Sequence, residues 1–397
     1  MQLFSVGLLV ASALPVIKIC IMCCVGVLLA RRGILNQAGR QNLSLLVFLV
    51  FVPGLTFTKL GSAVSFSNLR LWWPLPLNVF LSLGFGSGLG WLCGRLLKAP
   101  KWFRTHITLA VGCGNVGNIP LVLVATMCSD PHMPFHDSLQ ADCQEIGIAY
   151  VAFGMWVAML FQFSLAYSLL KRPEAPALDG HGELSSSPQR PIPQRSMEAG
   201  STSMRGWASR VQRAGDCWTN SLLASRLYAL VQPVLNMPTL SAAAGLVIGC
   251  TPWLKALFFG DNAPLAVFTD SADMFGQAMI PSILLVLGAV LCKGPGQGKL
   301  PVGLVVGVVV MRLIIIPALG LAAVVGLWRL GLFTAPDKLF LLVMLIVNST
   351  PTAINLQTVA TMHSNGEAEM SVLLFWQYLA CIFTMPLLIS IYLWAVS

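Results

Sequence analysis

Two long apolar segments of this chain are interrupted in the same manner, and the pair of interruptions limits the fold more than any other feature. One reads Gly112-Cys113-Gly114-Asn115-Val116-Gly117-Asn118-Ile119-Pro120, the other Asn348-Ser349-Thr350-Pro351-Thr352-Ala353-Ile354-Asn355. Proline lacks an amide hydrogen and clashes with the preceding turn, so each run has to break its helix ladder. Three glycines between 112 and 117 make unwinding easier in the first. A soluble core seldom places such polar stretches inside greasy segments. A membrane transporter does, because unwound backbone is tolerated at membrane depth where it lines a cavity.

The rest of the chain suits a bilayer. Of 397 residues, 56% are hydrophobic and 10% charged, against about 25% charged in soluble domains. The apolar residues form windows long enough to cross about 30 Å of hydrocarbon. Ten can be drawn, at 5–30, 40–60, 70–97, 104–128, 144–170, 224–250, 263–291, 300–328, 337–361 and 370–395. The first, with no basic region before it, is expected to be retained as a spanning helix rather than cleaved. Residues 172–222, rich in Pro, Ser, Gly and Arg, cannot bury enough surface to fold alone and are expected to be a disordered linker. Within it, Gly206 to Trp218 has the makings of a short interfacial helix.

The linker divides the chain into residues 1–171 and 223–397, each with five segments. Pro15, Pro53 and Pro120 are answered by Pro238, Pro281 and Pro351 at similar offsets. With an odd number of spans per half, the second half is inverted relative to the first. The expected fold is therefore an all-α membrane protein of ten transmembrane helices in two inverted five-helix repeats, with crossed, broken helices four and nine. Loops bearing Arg31, Arg32, Arg95, Lys98, Lys101 and the linker arginines belong in the cytosol, and the acidic loop with Asp130, Asp137 and Asp142 on the far side. Both termini then lie on that far side. The net charge of +9 is spread over loops and forms no nucleic-acid-binding stripe. Cys128 and Cys143 flank the acidic loop, and a disulfide between them would require it to sit in an oxidising compartment.

The two interruptions are the expected substrate site. Asn115, Val116, Gly117, Asn118 and Pro120 come from one half, and Asn348, Ser349, Thr350, Pro351, Thr352 and Asn355 from the other. Two half-helix N-termini meeting near the midplane favour an anion, notably a carboxylate. The competing reading is that the asparagines only satisfy each other across packed helices. Lys18 is a candidate cation for an anionic substrate, and Tyr150 a candidate for the entrance beside Gln144 and Glu145. Gln277 and Gln377 could reach the crossover or join two helices, and Thr56 and Thr58 follow Pro53 toward the same region. Arg312 could meet a backbone carbonyl or a carboxylate, and Asp270 and Asp273 are candidate proton sites. Nucleotide, zinc-hydrolase and metal-ligand spacings are missing: His132 and His136 are separated by Pro134. No enzyme activity and no cofactor are expected.

The crossovers also carry a family resemblance. Gly114 to Pro120, Asn348 to Ala353, Phe375-Trp376-Gln377-Tyr378 and Pro53-Gly54-Leu55 make the chain similar to the plant PIN-LIKES proteins of the auxin efflux carrier family. The similarity covers both helical halves and leaves out the linker. It implies a carrier of indole-3-acetic acid or a related aromatic carboxylate, residence in the endoplasmic reticulum membrane, and a dimer as in related carriers. It also implies a scaffold from segments one, two, six and seven, and a moving unit from segments three to five and eight to ten. A carrier of another organic anion, such as a dicarboxylate, and a membrane sensor that binds auxin without moving it are the other readings.

Overall fold

The computed structural model describes residues 6–129, 143–170, 236–260, 263–292, 294–295, 298–363 and 365–396. The linker at 172–222, its expected interfacial helix and the loop histidines lie outside the described residues. The fold is built from helices. In the first half they are α1 (Val6–Arg31), α2 (Gln37–Leu46), α3 (Val52–Ala63), α4 (Phe66–Leu71), α5 (Pro74–Leu96), α6 (Arg104–Gly112), α7 (Asn118–Cys128) and α8 (Cys143–Leu170). In the second they are α9 (Met237–Cys250), α10 (Pro252–Phe258), α11 (Ala266–Gln277), α12 (Met279–Leu291), α13 (Val302–Val310), α14 (Ile316–Arg329), α15 (Lys338–Ser349), α16 (Ile354–Met362) and α17 (Glu367–Val396).

Prolines explain most of the joints. A π-turn at Val47–Phe51 links α2 to α3, and another at Met311–Ile315 links α13 to α14; Pro53 and Pro317 follow them. The wider turn accommodates the ring and the missing amide hydrogen while the helix continues. Asn36, Ser65, Asn236 and Asp337 cap α2, α4, α9 and α15 through side-chain oxygens that accept amide bonds three residues on.

The expectation of ten spans in two clean five-helix repeats is not met. Among the described residues seven helices are long and apolar enough to cross a membrane, or eight if α9 and α10, bent by 112°, count as one. The fourth and ninth apolar windows resolve into short helices, α6 with α7 and α15 with α16. A hydropathy window counts apolar residues and passes over a change of backbone direction, so a broken segment scores like a continuous one. A repeat-like organisation survives at the two breaks, one from each half.

Two packing groups surround them. In one, α3 packs against α9 and α11, and α1 against α12. The α3–α11 seam closes at Gly54 and Gly276: an added Cβ would stand 2.5 Å from the Ala272 carbonyl oxygen or 2.8 Å from the Leu55 nitrogen. In the other, α5 packs on α6, α7 on α8, and α14 on α15. The centre is α15, buried at every residue from Leu339 to Ser349. A helix apolar on all sides and enclosed by other helices has no lipid-facing stripe to spare.

Candidate functional site

Both broken segments become extended for a few residues and meet. Gly114 and Thr352 form an isolated antiparallel bridge. The Asn115 amide donates to the Pro351 carbonyl at 2.8 Å, and the Ala353 amide to the Cys113 carbonyl at 2.9 Å. Inside a bilayer each unpaired backbone group costs several kcal/mol, so the remaining groups of this pair of strands need partners too. Side chains supply them. Gln162 Nε2 of α8 donates to the Gly114 carbonyl at 2.8 Å. Gln377 Oε1 of α17 accepts from both the Thr352 amide and its hydroxyl at 2.9 Å. The Tyr378 hydroxyl donates to the Thr352 carbonyl at 3.2 Å and accepts from Asn115 Nδ2 at 2.8 Å. Asn115 Oδ1 in turn accepts from the Asn118 amide, the first of α7, at 3.0 Å.

Arg312 completes the arrangement from the π-turn. Its side chain is fully buried. Nε donates to the Thr350 carbonyl at 2.7 Å and Nη1 to the Val111 carbonyl at 3.0 Å. These carbonyls sit at the C-terminal ends of α15 and α6, where partial negative charge collects. Gly114 has to be glycine here, since a Cβ would stand 1.7 Å from Arg312 Nη2.

Next to the bridge lies an open cleft of about 280 Å³, a volume that includes the space at its mouth. Residues 115–118 and 353–355 form one side; Met155, Ala158, Met159 and Gln162 of α8 form the other. Its composition is mixed by construction. Asn118 opens α7, and Ile354 and Asn355 open α16, so the positive ends of two half-helices contribute to the lining. The methionines and alanine give an apolar, adaptable wall.

The expected residues divide. Asn115, Val116, Gly117, Asn118 and Asn355 line the cleft together. Pro120 is buried in the first turn of α7. Thr350, Pro351 and Thr352 form the other strand of the crossover and are occupied there. Asn348 instead donates to Asn78 Oδ1 at 2.9 Å and to the Met344 carbonyl at 3.2 Å. Ser349 bonds the Leu345 carbonyl and the Tyr392 hydroxyl. Asn348 thus joins α15 to α5, Ser349 joins α15 to α17, and Gln377 holds the crossover backbone.

The more distant candidates are elsewhere. The Tyr150 hydroxyl donates to Asp337 Oδ2 at 2.7 Å, bracing the carboxylate that caps α15. Gln277 donates to Asp273, which also pairs with Lys59 at 2.9 Å and accepts from Thr58 at 3.2 Å. Thr56 bonds Ser241 across the α3–α9 seam. Asp270 is exposed, and Lys18 lies exposed on the outward side of α1 between exposed Ile17 and Ile21. The α8 wall was missed, although its signal is plain: Met155, Ala158, Met159 and Gln162 stand at i, i+3, i+4 and i+7, one helical stripe. Nothing local in the sequence places Arg312 at the crossover. Cys128 and Cys143 are joined by a disulfide, which ties the end of α7 to the start of α8.

Comparison with known proteins places this geometry. The family described as membrane transport protein matches residues 11–389. Among curated relatives, Protein PIN-LIKES 6 of Arabidopsis thaliana is 31% identical, over 96% of this chain and 91% of its own length. Protein PIN-LIKES 1 of the same plant is 30% identical, over the whole of this chain and 82% of its own length. An uncharacterized transporter of Schizosaccharomyces pombe is 24% identical, over 91% of this chain and 89% of its own length. A multi-span helical fold with two polar breaks bridged at its centre, matched nearly end to end by these relatives, is that of a secondary transporter rather than an enzyme, and the chain belongs to the membrane transport protein family and to its PIN-LIKES members.

Proposed function

We propose that this chain carries a small aromatic carboxylate, with indole-3-acetate the favoured case, across the endoplasmic reticulum membrane and so sets intracellular auxin levels. The observation that carries the reading is the cleft itself, lined by Asn118 and Asn355 at the N-terminal ends of α7 and α16 and by the methionines and alanine of α8. A carboxylate asks for amide donors and a positive helix end; an indole ring asks for a flat apolar surface. The PIN-LIKES resemblance supports the same substrate and the same membrane. The Cys128–Cys143 bond supports a lumenal position for the acidic loop and therefore a cytosolic linker.

For the transport step, the reading is an elevator. The group of α5–α8 with α13–α17 carries the crossover and moves against α1–α3 with α9–α12. Labelled indole-3-acetate flux into proteoliposomes, with binding measured on the same preparation, tests the function. Saturable binding with flux supports the carrier. Saturable binding without flux would replace it by a sensor. Preference for a dicarboxylate in both assays would replace the substrate.

A further inference from the structure

The crossover holds more charge than its cleft displays. Four helix ends converge there. The C-terminal ends of α6 and α15 present carbonyls of Val111 and Thr350, while the N-terminal ends of α7 and α16 contribute to the cleft. Each end behaves as about half an elementary charge. Two carbonyl ends therefore sum to about one negative charge, and two amide ends to about one positive charge. Left alone, the carbonyl ends would offset part of the attraction that an anion in the cleft feels from the amide ends.

Arg312 changes that balance. Its guanidinium binds both carbonyl ends and no carboxylate among the described residues; the titratable groups facing it are the Cys113 and Cys381 thiols and the Tyr378 hydroxyl. One nitrogen, Nη2, is buried with no hydrogen-bond partner among the described residues and abuts the Cα of Gly114. The carbonyl of that same glycine is held by Gln162, which lines the cleft, and the next residue, Asn115, lines it as well. The Gly114 backbone thus links a full positive charge to residues that line the cleft. A second buried donor, Gln377 Nε2 on the Thr352 side of the bridge, also has no acceptor among the described residues.

We propose that Arg312 is the specificity-determining charge of the site: it neutralises the carbonyl ends of α6 and α15, so that the amide ends of α7 and α16 act on the cleft unopposed and match a single carboxylate. This deepens the reading of the cleft as an anion site and rests on it. A buried cation without a carboxylate partner is costly in a membrane protein, and a bound monoanion restores neutrality where an amide does not. A dianion overshoots it.

The test uses the full chain, purified and reconstituted, with paired probes of nearly equal shape: indole-3-acetate against indole-3-acetamide, and benzoate against benzamide. Affinity and thermal stability are read for wild type, Arg312→Gln and Arg312→Lys. Glutamine keeps a donor for one carbonyl and removes the charge. We expect the preference for carboxylate over amide to fall about tenfold. Lysine keeps the charge, and the preference is retained even though stability falls. An unchanged preference in folded Arg312→Gln overturns the assignment and shows a purely structural arginine. Loss of the preference in folded Arg312→Lys overturns it too, and that variant decides if the glutamine chain does not fold. Wild type that ignores both indoles yet prefers benzoate to benzamide would end the auxin reading and leave Arg312 in its role. Wild type with no carboxylate preference in either pair would end both.

Discussion

At the scale of single residues, the crossover is decided by groups that satisfy backbone. Gly114→Ala would set a methyl carbon 1.7 Å from Arg312 Nη2. The guanidinium would have to leave its two carbonyls, or the bridge to Thr352 would have to open. Breaking a buried charged contact of this kind costs about 3 kcal/mol or more, so the variant should melt well below wild type in detergent; an equal melting temperature would show that the arginine has room to move. The asparagines make a contrasting pair. Asn118→Ala removes an amide at the cleft and should weaken carboxylate binding by the worth of a charge-assisted hydrogen bond, about 1.5–3 kcal/mol, with little change in stability. Asn348→Ala leaves Asn78 Oδ1 without its donor and should cost about 1–3 kcal/mol of stability while affinity stays the same. Measuring melting and affinity on both variants checks the division. Parallel losses of affinity would put Asn348 back in the site.

At the scale of elements, the disulfide joins two pieces that both line the cleft, α7 and α8, across a separation of 15 residues. Closing a loop of that length stabilises a fold by about 3 kcal/mol in the chain-entropy description. Cys128→Ser should therefore lower the melting temperature, and reductant should do so only in the unsubstituted protein. Mass spectrometry of the protein from sealed microsomes should find the bond intact; a free thiol at both positions would place the acidic loop on the reducing side. Much at this scale was legible in the sequence. The breaks are, because Gly, Asn and Pro at 112–120 and 348–355 each oppose a helix for a reason internal to the residue. The α8 stripe is legible as well, since Met155, Ala158, Met159 and Gln162 share one helical face. Which asparagine faces the cleft was not legible, since Asn348 ends a helix and Asn118 begins one, and only the path of the break determines where each side chain goes. The number of spans was misjudged for the same reason: apolar windows do not reveal direction. The use made of Arg312 depends on α13 and α14 reaching a bridge between residues far away in the chain, which no local pattern encodes.

At the scale of the whole molecule, the proposed movement needs a boundary between the group that bears the crossover and the group that does not. The α1–α17 contact lies on that boundary and carries a hydrogen bond between the Ser12 and Ser390 hydroxyls, 3.0 Å apart and buried. Two side chains in direct hydrogen-bond contact are the natural pair at which to try a disulfide. Cysteines at both positions, oxidised in the reconstituted protein, would fasten the two groups together in the arrangement described here. The cleft is built entirely by α7, α8, α16 and the strands between broken helices, all on one side of the boundary. Binding should therefore survive the cross-link at wild-type affinity, while flux falls to the level of empty liposomes and returns on reduction. Each single cysteine, treated alike, should transport normally, which separates the cross-link from oxidation of the native thiols. Full flux through a quantitatively cross-linked protein would mean that α1 and α17 travel together, and that the moving boundary runs elsewhere in the bundle.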